Sequence, residues 1–272
     1  MAFQAIRPAA VAGHFYPADR DALTAQVQAL LAHAVPGEAS APPKALIVPH
    51  AGYLYSGAVA ASAYAQLQPW REQIRRVILL GPSHRAMFPG VAVPGAAAFA
   101  TPLGEVVLDH DAVFALAQRS NVLVDDRPHA QEHALEVQLP FLQTVLGHFR
   151  LLPLLAGMIE AQALAEILAA LWGGEETLIV VSSDLSHYHP YAEAQQRDQA
   201  SVAHMLALAP QLQAADACGA VPVNALLMAA RAHGLEASLL DLRNSGDTAG
   251  ERSSVVGYAA LAFRAAAPRA TH

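Results

Sequence analysis

The sequence predicts one α/β domain over its 272 residues, a central mixed but mostly parallel sheet with helices on both faces. Three observations carry that reading. The apolar runs at 44–49, 76–81 and 177–182 show no alternation, as expected of strands covered on both faces. Each runs straight into a polar turn that includes histidine, in KALIVPHAGY, RRVILLGPSHR and ETLIVVSSDLSHYH. Helical periodicity separates them, which gives the alternating order of an α/β unit.

Along the chain, a helix is expected at 56–66 after the first central strand. Weaker strands follow the second at 90–93, 105–108 and 122–124, with a helix at 111–119. The pattern at 131–146 predicts a helix that Pro140 kinks or interrupts, and 150–154 reads as a further strand. Helices at 161–171, 192–208 and 222–232 flank the third central strand. The last two runs, 236–242 and 253–263, border the loop RNSGDTAGE and read as an antiparallel edge. The end from 265, AAAPRATH, reads as a frayed tail, and no linker or internal repeat divides the chain.

Composition narrows the function classes. Apolar residues make up 54% and charged residues 14%, enough for a large core and far from a disordered chain. The net charge of −7 and the absence of any Lys/Arg run argue against nucleic acid as a partner. Cys218 is the one cysteine, so neither an intrachain disulfide nor a thiolate zinc cage can form, and a reducing cytoplasm fits. The N-terminus does not read as a secretory signal. The apolar stretch 87–103 is broken by Pro89, Gly90, Pro94, Gly95 and Pro102, so no membrane span is expected. The turns PHAGYLYSG, LLGPSHR and RNSGDTAG match neither dinucleotide nor P-loop patterns, and no nucleotide cofactor is expected.

His50 and His84 directly follow strands, at the sheet end where α/β proteins place ligands. With a carboxylate they would complete a two-histidine, one-carboxylate face for Fe(II), and Asp184, Asp247 and Glu251 are the available donors. The bland reading is that each histidine bonds a loop carbonyl. In SSDLSHYH, Asp184 can cap a turn or orient His187, which is the candidate general base. His189, beside Pro190, reads as structural or peripheral. The segment PHAQEHALEVQLPFL holds His129, Glu132 and His133 in the H-x-x-E-H spacing of inverted zincins. Its rival is an ordinary polar helix start, with His133 paired to Glu136 and serving substrate contact or support. His14, in GHFYPAD, lies in an aromatic N-terminal loop that covers a pocket or merely anchors the terminus. Cys218, in ACGAVP before a helix, is an activated thiol or a small buried hydrophobe.

These segments together, RPAAVAGHFYPAD, VPHAGYLYSG, ILLGPSHR, EHALEVQLPFLQ, SSDLSHY, ACGAVPV and RNSGD followed by SSVVGYAAL, resemble the Memo family, known in prokaryotes as AmmeMemoRadiSam system protein B. The resemblance runs over nearly the full length and in the family's order. It implies one Memo-like domain over 1–272, with the fold of the class III extradiol dioxygenases, whose pocket holds Fe(II). It also implies metal-site histidines at His50 and His84 and pocket residues at Asp184 and His187. Tyr53, Glu136 and Asn244 join His14 as candidate substrate contacts. A cysteine proposed as third ligand in animal members corresponds to Leu242, before Arg243 and Asn244. The third ligand here is therefore open among Asp184, His187, Asp247 and Glu251, and the metal among Fe(II), Cu and Zn.

By this analogy a metal-dependent, oxygenase-like redox protein would act on a small molecule or a protein, with His187 or His133 moving the proton. Two alternatives stand beside it. One is a zinc hydrolase using His129, Glu132 and His133; the other is a peptide- or partner-binding module without turnover, as suggested for animal members. The family name implies association with an AMMECR-type protein and a radical SAM protein.

Overall fold

The computed structural model describes residues 5–35 and 41–266. The chain starts with strand β1 (Ile6–Arg7) and helix α1 (Arg20–His33), followed by β2 (Ala45–Val48), α2 (Tyr53–Tyr64), a 3-10 segment at Ala65–Trp70 and β3 (Arg76–Pro82). Next come β4 (Val91–Val93), β5 (Ala98–Thr101), β6 (Gly104–Val107), α3 (His110–Leu116) and β7 (Val122–Val124). A 3-10 turn at Glu136–Gln138 leads into α4 (Leu139–Val145), then β8 (Arg150–Ala156), α5 (Ala161–Leu171) and β9 (Thr177–Ser182). The last elements are β10 (His187–His189), α6 (Tyr191–Leu206), α7 (Ala220–Ala232), β11 (Leu235–Asn244) and β12 (Val255–Ala265). The tail expected from 265 begins at the last residue of β12, and 267–272 lie outside the described residues.

The main sheet runs β10-β12-β2-β9-β3-β8-β4-β7, with β11 also pairing β12. Its centre, β2, β9, β3 and β8, is parallel, and β12 closes one side antiparallel to β2. The C-terminal pair β11 and β12 is antiparallel, as the sequence predicts. A separate small sheet, β1-β5-β6, was not expected.

The non-alternating strands are explained by two cores. Leu46, Val48, Leu79 and Val180 face one core with Leu23 and Val27 of α1, Val59 of α2 and Phe141 of α4. Their neighbours Ile47, Ile78, Leu80 and Val181 face a second core with Val113 of α3, Leu168 of α5, Met205 of α6 and Leu226 of α7. A fully buried Leu or Val contributes about 1.5–3 kcal/mol. Such residues on both faces make the central strands a rigid platform.

The helix expected at 131–146 does not form as one element. Residues 128–134 are turns and irregular backbone, the 3-10 turn is short, and α4 begins with Pro140 in its first turn. Proline fits there because the first-turn N–H has no partner within the helix. The unwound stretch is held by Arg7, whose Nε donates to His129 O (2.7 Å) and Nη2 to Glu132 O (2.8 Å). Among the described residues no helix is long and apolar enough to cross a membrane.

Candidate metal centre

The order β2-β9-β3 sets three carboxyl ends side by side, and the residues just beyond them are His50, Asp184 and His84. The turn carrying His50 is tied to the one carrying Asp184 by His50 N–H donating to Asp184 Oδ1 (2.7 Å). The unwound 128–134 segment leads into Ala134 and Leu135, which pack against Gly81 of β3, and brings His133 to the same place. The His84 and His133 rings lie 4.7 Å apart, and the His50 ring lies 5.1 Å from His84 and 5.3 Å from His133.

One ring nitrogen from each of His50, His84 and His133 falls within 4.8 Å of the others, a grouping that could hold a metal ion. Among the described residues no other three His, Cys, Asp or Glu side chains converge in this way. Asp184, His187, Asp247 and Glu251 lie outside the group.

Glu132 fixes two of the three rings. Its Oε1 accepts from His84 Nδ1 (2.9 Å) and lies 3.2 Å from His133 Nδ1, while Oε2 accepts from His84 N (2.6 Å). The N–H groups of His133 and Ala134 also donate to Oε1. Burial pushes this carboxyl up, but hydrogen bonds from His133, His84 and Ala134 outweigh it and hold Glu132 well below the ordinary carboxylate range. A carboxylate on Nδ1 orients an imidazole and leaves Nε2 with the lone pair. From the sequence, Glu132 reads as the acid of an H-x-x-E-H site or as part of a polar helix start. Its position beside two histidine nitrogens depends on the unwound backbone, which the spacing does not reveal.

His50 is fixed differently. It is 2% exposed, and burial lowers its pKa to about 4, so the ring is neutral at neutral pH. Its Nδ1 meets Ser182 Oγ at 2.8 Å, and its Nε2 lies 3.2 Å from Cys218 Sγ. Burial, with the Asp184 charge, raises the Cys218 thiol to about 12. Asp184 N–H donates to the sulfur at 3.3 Å. The close approach of the two turns needs Gly219, where an added Cβ would lie 2.7 Å from Ser183 Cβ and Oγ.

The other candidates lie around this centre or away from it. His187 Nδ1 meets the Leu185 carbonyl at 2.8 Å; a carbonyl only accepts, so Nδ1 carries the proton and Nε2 the lone pair. Tyr188 beside it has φ 62° and is 76% exposed. Tyr53 is buried and donates to Val137 O (2.8 Å). Glu136 is fully buried, and its oxygens take Arg7 Nη1, Ala10 N, Val11 N and Tyr16 OH. His14 is exposed, while its neighbour Phe15 packs 4.8 Å from the His133 ring.

Asn244 is buried and caps the turn Ser245–Asp247 in a capping box with Asp247, which also accepts from Tyr191 OH. Glu251 is exposed, and Leu242 lies within β11. His189 Nδ1 lies 3.1 Å from Glu193. His129, the first residue of H-x-x-E-H, is 2% exposed and turned away: its Nε2 donates to Ala92 O (3.1 Å), and its ring packs against Phe99.

The comparisons with known proteins agree with this architecture. An uncharacterized protein from Escherichia coli K12, known from its crystal structure, is similar at a TM-score of 0.50 and 15% identity, covering 80% of this chain and 98% of its own. At that identity the likeness concerns fold alone. MEMO1 family proteins of Methanopyrus kandleri and Ignicoccus hospitalis are 38% and 37% identical, each over 95% of this chain, and are themselves covered over 99% and 98% of their length. One from Aquifex aeolicus is 36% identical over 95% of this chain. The family described as Memo-like protein matches residues 7–262, a span that contains every side chain of the three-histidine centre and its supports. The chain belongs to the Memo family.

Proposed function

We propose that the chain is a metal-dependent protein in which His50, His84 and His133 hold a divalent ion and a small molecule or peptide binds in the open positions beside it. The observation that carries this reading is the charge of Glu132. It is a 2% exposed carboxylate paired with no Lys or Arg among the described residues, and its partners are the imidazoles of His84 and His133 and three backbone N–H groups. A buried charge without an opposite charge is costly, and an ion held by the same imidazoles would supply one. Three imidazole donors suit zinc, copper and iron.

The ion would supply Lewis-acid polarisation, or with iron or copper a redox couple. The residues of this chain do the remaining work. Glu132 holds two rings in orientation. His187, with its lone pair on Nε2, can take a proton from a bound molecule. Phe15 shields one side of His133 from water. Oxygenase-like redox chemistry is the reading the Memo resemblance favours. The zinc-hydrolase alternative has less support, because His129 is committed to Ala92 O and stands apart from the three-histidine group.

The test is metal content and affinity of anaerobically purified protein, with iron, copper and zinc offered separately, beside a His84→Ala/His133→Ala double variant. Near-stoichiometric metal that the double variant loses is the expected result. Equal metal in both proteins, or none in either, would overturn the reading and leave the binding module. Oxygen uptake by loaded protein would then separate oxygenase from hydrolytic chemistry.

A further inference from the structure

We infer that Gln138 and Ser182 are positioning residues of the three-histidine centre: they commit His50 Nδ1–H to a hydrogen bond and leave Nε2 as the one nitrogen of that ring with a lone pair. Pro49 O can only accept, so the Gln138 atom 2.9 Å from it is the amide nitrogen. The same nitrogen lies 2.9 Å from Ser182 Oγ and donates to it. The other end of the amide, Oε1, takes the hydroxyl of fully buried Tyr64 at 2.8 Å, which fixes the amide's orientation.

Ser182 has one proton to give. Its Oγ lies 2.6 Å from Ala134 O, another group that only accepts, so the hydroxyl proton points there. Its two lone pairs then face Gln138 and His50. The bond between Ser182 Oγ and His50 Nδ1 (2.8 Å) therefore draws its proton from the imidazole. His50 must be the Nδ1–H tautomer, and the Cys218 sulfur beside Nε2 stands against a lone pair.

Gln138 and Ser182 are both 0% exposed, so water does not offer an alternative set of partners. The arrangement also explains why a hydroxyl serves here and a carboxylate serves the other two rings. His50 is the most buried of the three, and a second carboxylate beneath it would add an uncompensated charge. Ala134 O belongs to the segment that carries Glu132 and His133, so Ser182 ties the two anchoring systems together.

The tautomer does not depend on any metal; only its consequence for affinity rests on the proposed metal centre. Imidazole nitrogen NMR on uniformly labelled, metal-free protein is the direct test. A protonated Nδ1 and unprotonated Nε2 for His50 are expected, and the Nε2–H tautomer would overturn the inference. Ser182→Ala should shift His50 toward the Nε2–H form and weaken Zn(II) binding about 10–100-fold, with Ser182→Thr restoring both. A Ser182→Ala protein with the native His50 signature would also overturn it. If the tautomer is as expected but Zn(II) does not bind native protein, the metal reading fails and the positioning role stands.

Discussion

Glu132 and Glu136 stand four residues apart, both buried, and do opposite work. Glu136 is balanced by Arg7, whose Nη1 lies 2.5 Å away, and its remaining capacity is filled by Tyr16 and two backbone N–H groups. Glu132 binds a similar number of donors, but its ring partners are the imidazoles of His84 and His133. Guanidinium keeps its charge at any accessible pH, whereas imidazole changes its own and can exchange a proton for a metal. One carboxylate therefore closes the fold by holding the N-terminal strand to the 128–136 segment. The other keeps two ring nitrogens oriented and open.

The largest effect should come from breaking the closed pair. Arg7→Met leaves Glu136 buried without its cation and should cost about 3–5 kcal/mol in urea unfolding. Replacing both partners with Met and Leu should recover only a part of that loss, because Ala10 N, Val11 N, Tyr16 OH and the carbonyls of His129 and Glu132 would lose their partners. A stable single variant would mean that Glu136 does not need Arg7, and the contrast would fail on its structural side.

A pH titration of stability sharpens the contrast, because Arg7 does not titrate and the buried imidazoles do. Burial lowers His50 and His129 from an ordinary 6.5 to about 4. Between those values the unfolded chain takes up protons that the folded chain refuses. Their contribution is therefore complete above pH 6.5 and is lost as pH falls toward 4, on the order of 3 kcal/mol for each. His129→Gln should remove part of this slope. A flat stability profile over that window would contradict the burial argument.

A smaller effect is expected at Glu132 itself. Glu132→Gln keeps the shape but loses the charge and one acceptor, and should weaken metal binding about 10–100-fold while leaving the fold cooperative. Glu136→Gln should do the reverse, reducing stability with metal affinity unchanged. If both variants lose metal equally, the two carboxylates do not have separate roles.

Much of the architecture could be read from the sequence because both-face burial leaves a plain mark. The central strands, the antiparallel C-terminal pair and helices such as 161–171 coincide with their expected positions. His50, His84 and Asp184 were legible as strand-end residues for the same reason. Helix α1 was not anticipated; its buried positions Leu23, Val27 and Leu31 form a stripe only one residue wide. The unwinding of 128–134 leaves no local mark, because the side chain that holds its carbonyls, Arg7, lies more than a hundred residues earlier. For the same reason spacing alone grouped His129 with Glu132 and His133, although the structure turns it toward Ala92. The support of His50 by Ser182 and Gln138 depends on three separate segments meeting and has no local signature.

Anomalous diffraction from crystals grown with Zn(II), Fe(II) or Cu would locate an ion at the three histidines. One strong peak is expected, bonded to the Nε2 atoms of His50, His84 and His133 at about 2.0–2.1 Å for zinc, with Glu132 still on the two Nδ1 atoms. A peak held by Asp184 and His187, or no peak at the three histidines under saturating metal, would contradict the three-histidine centre.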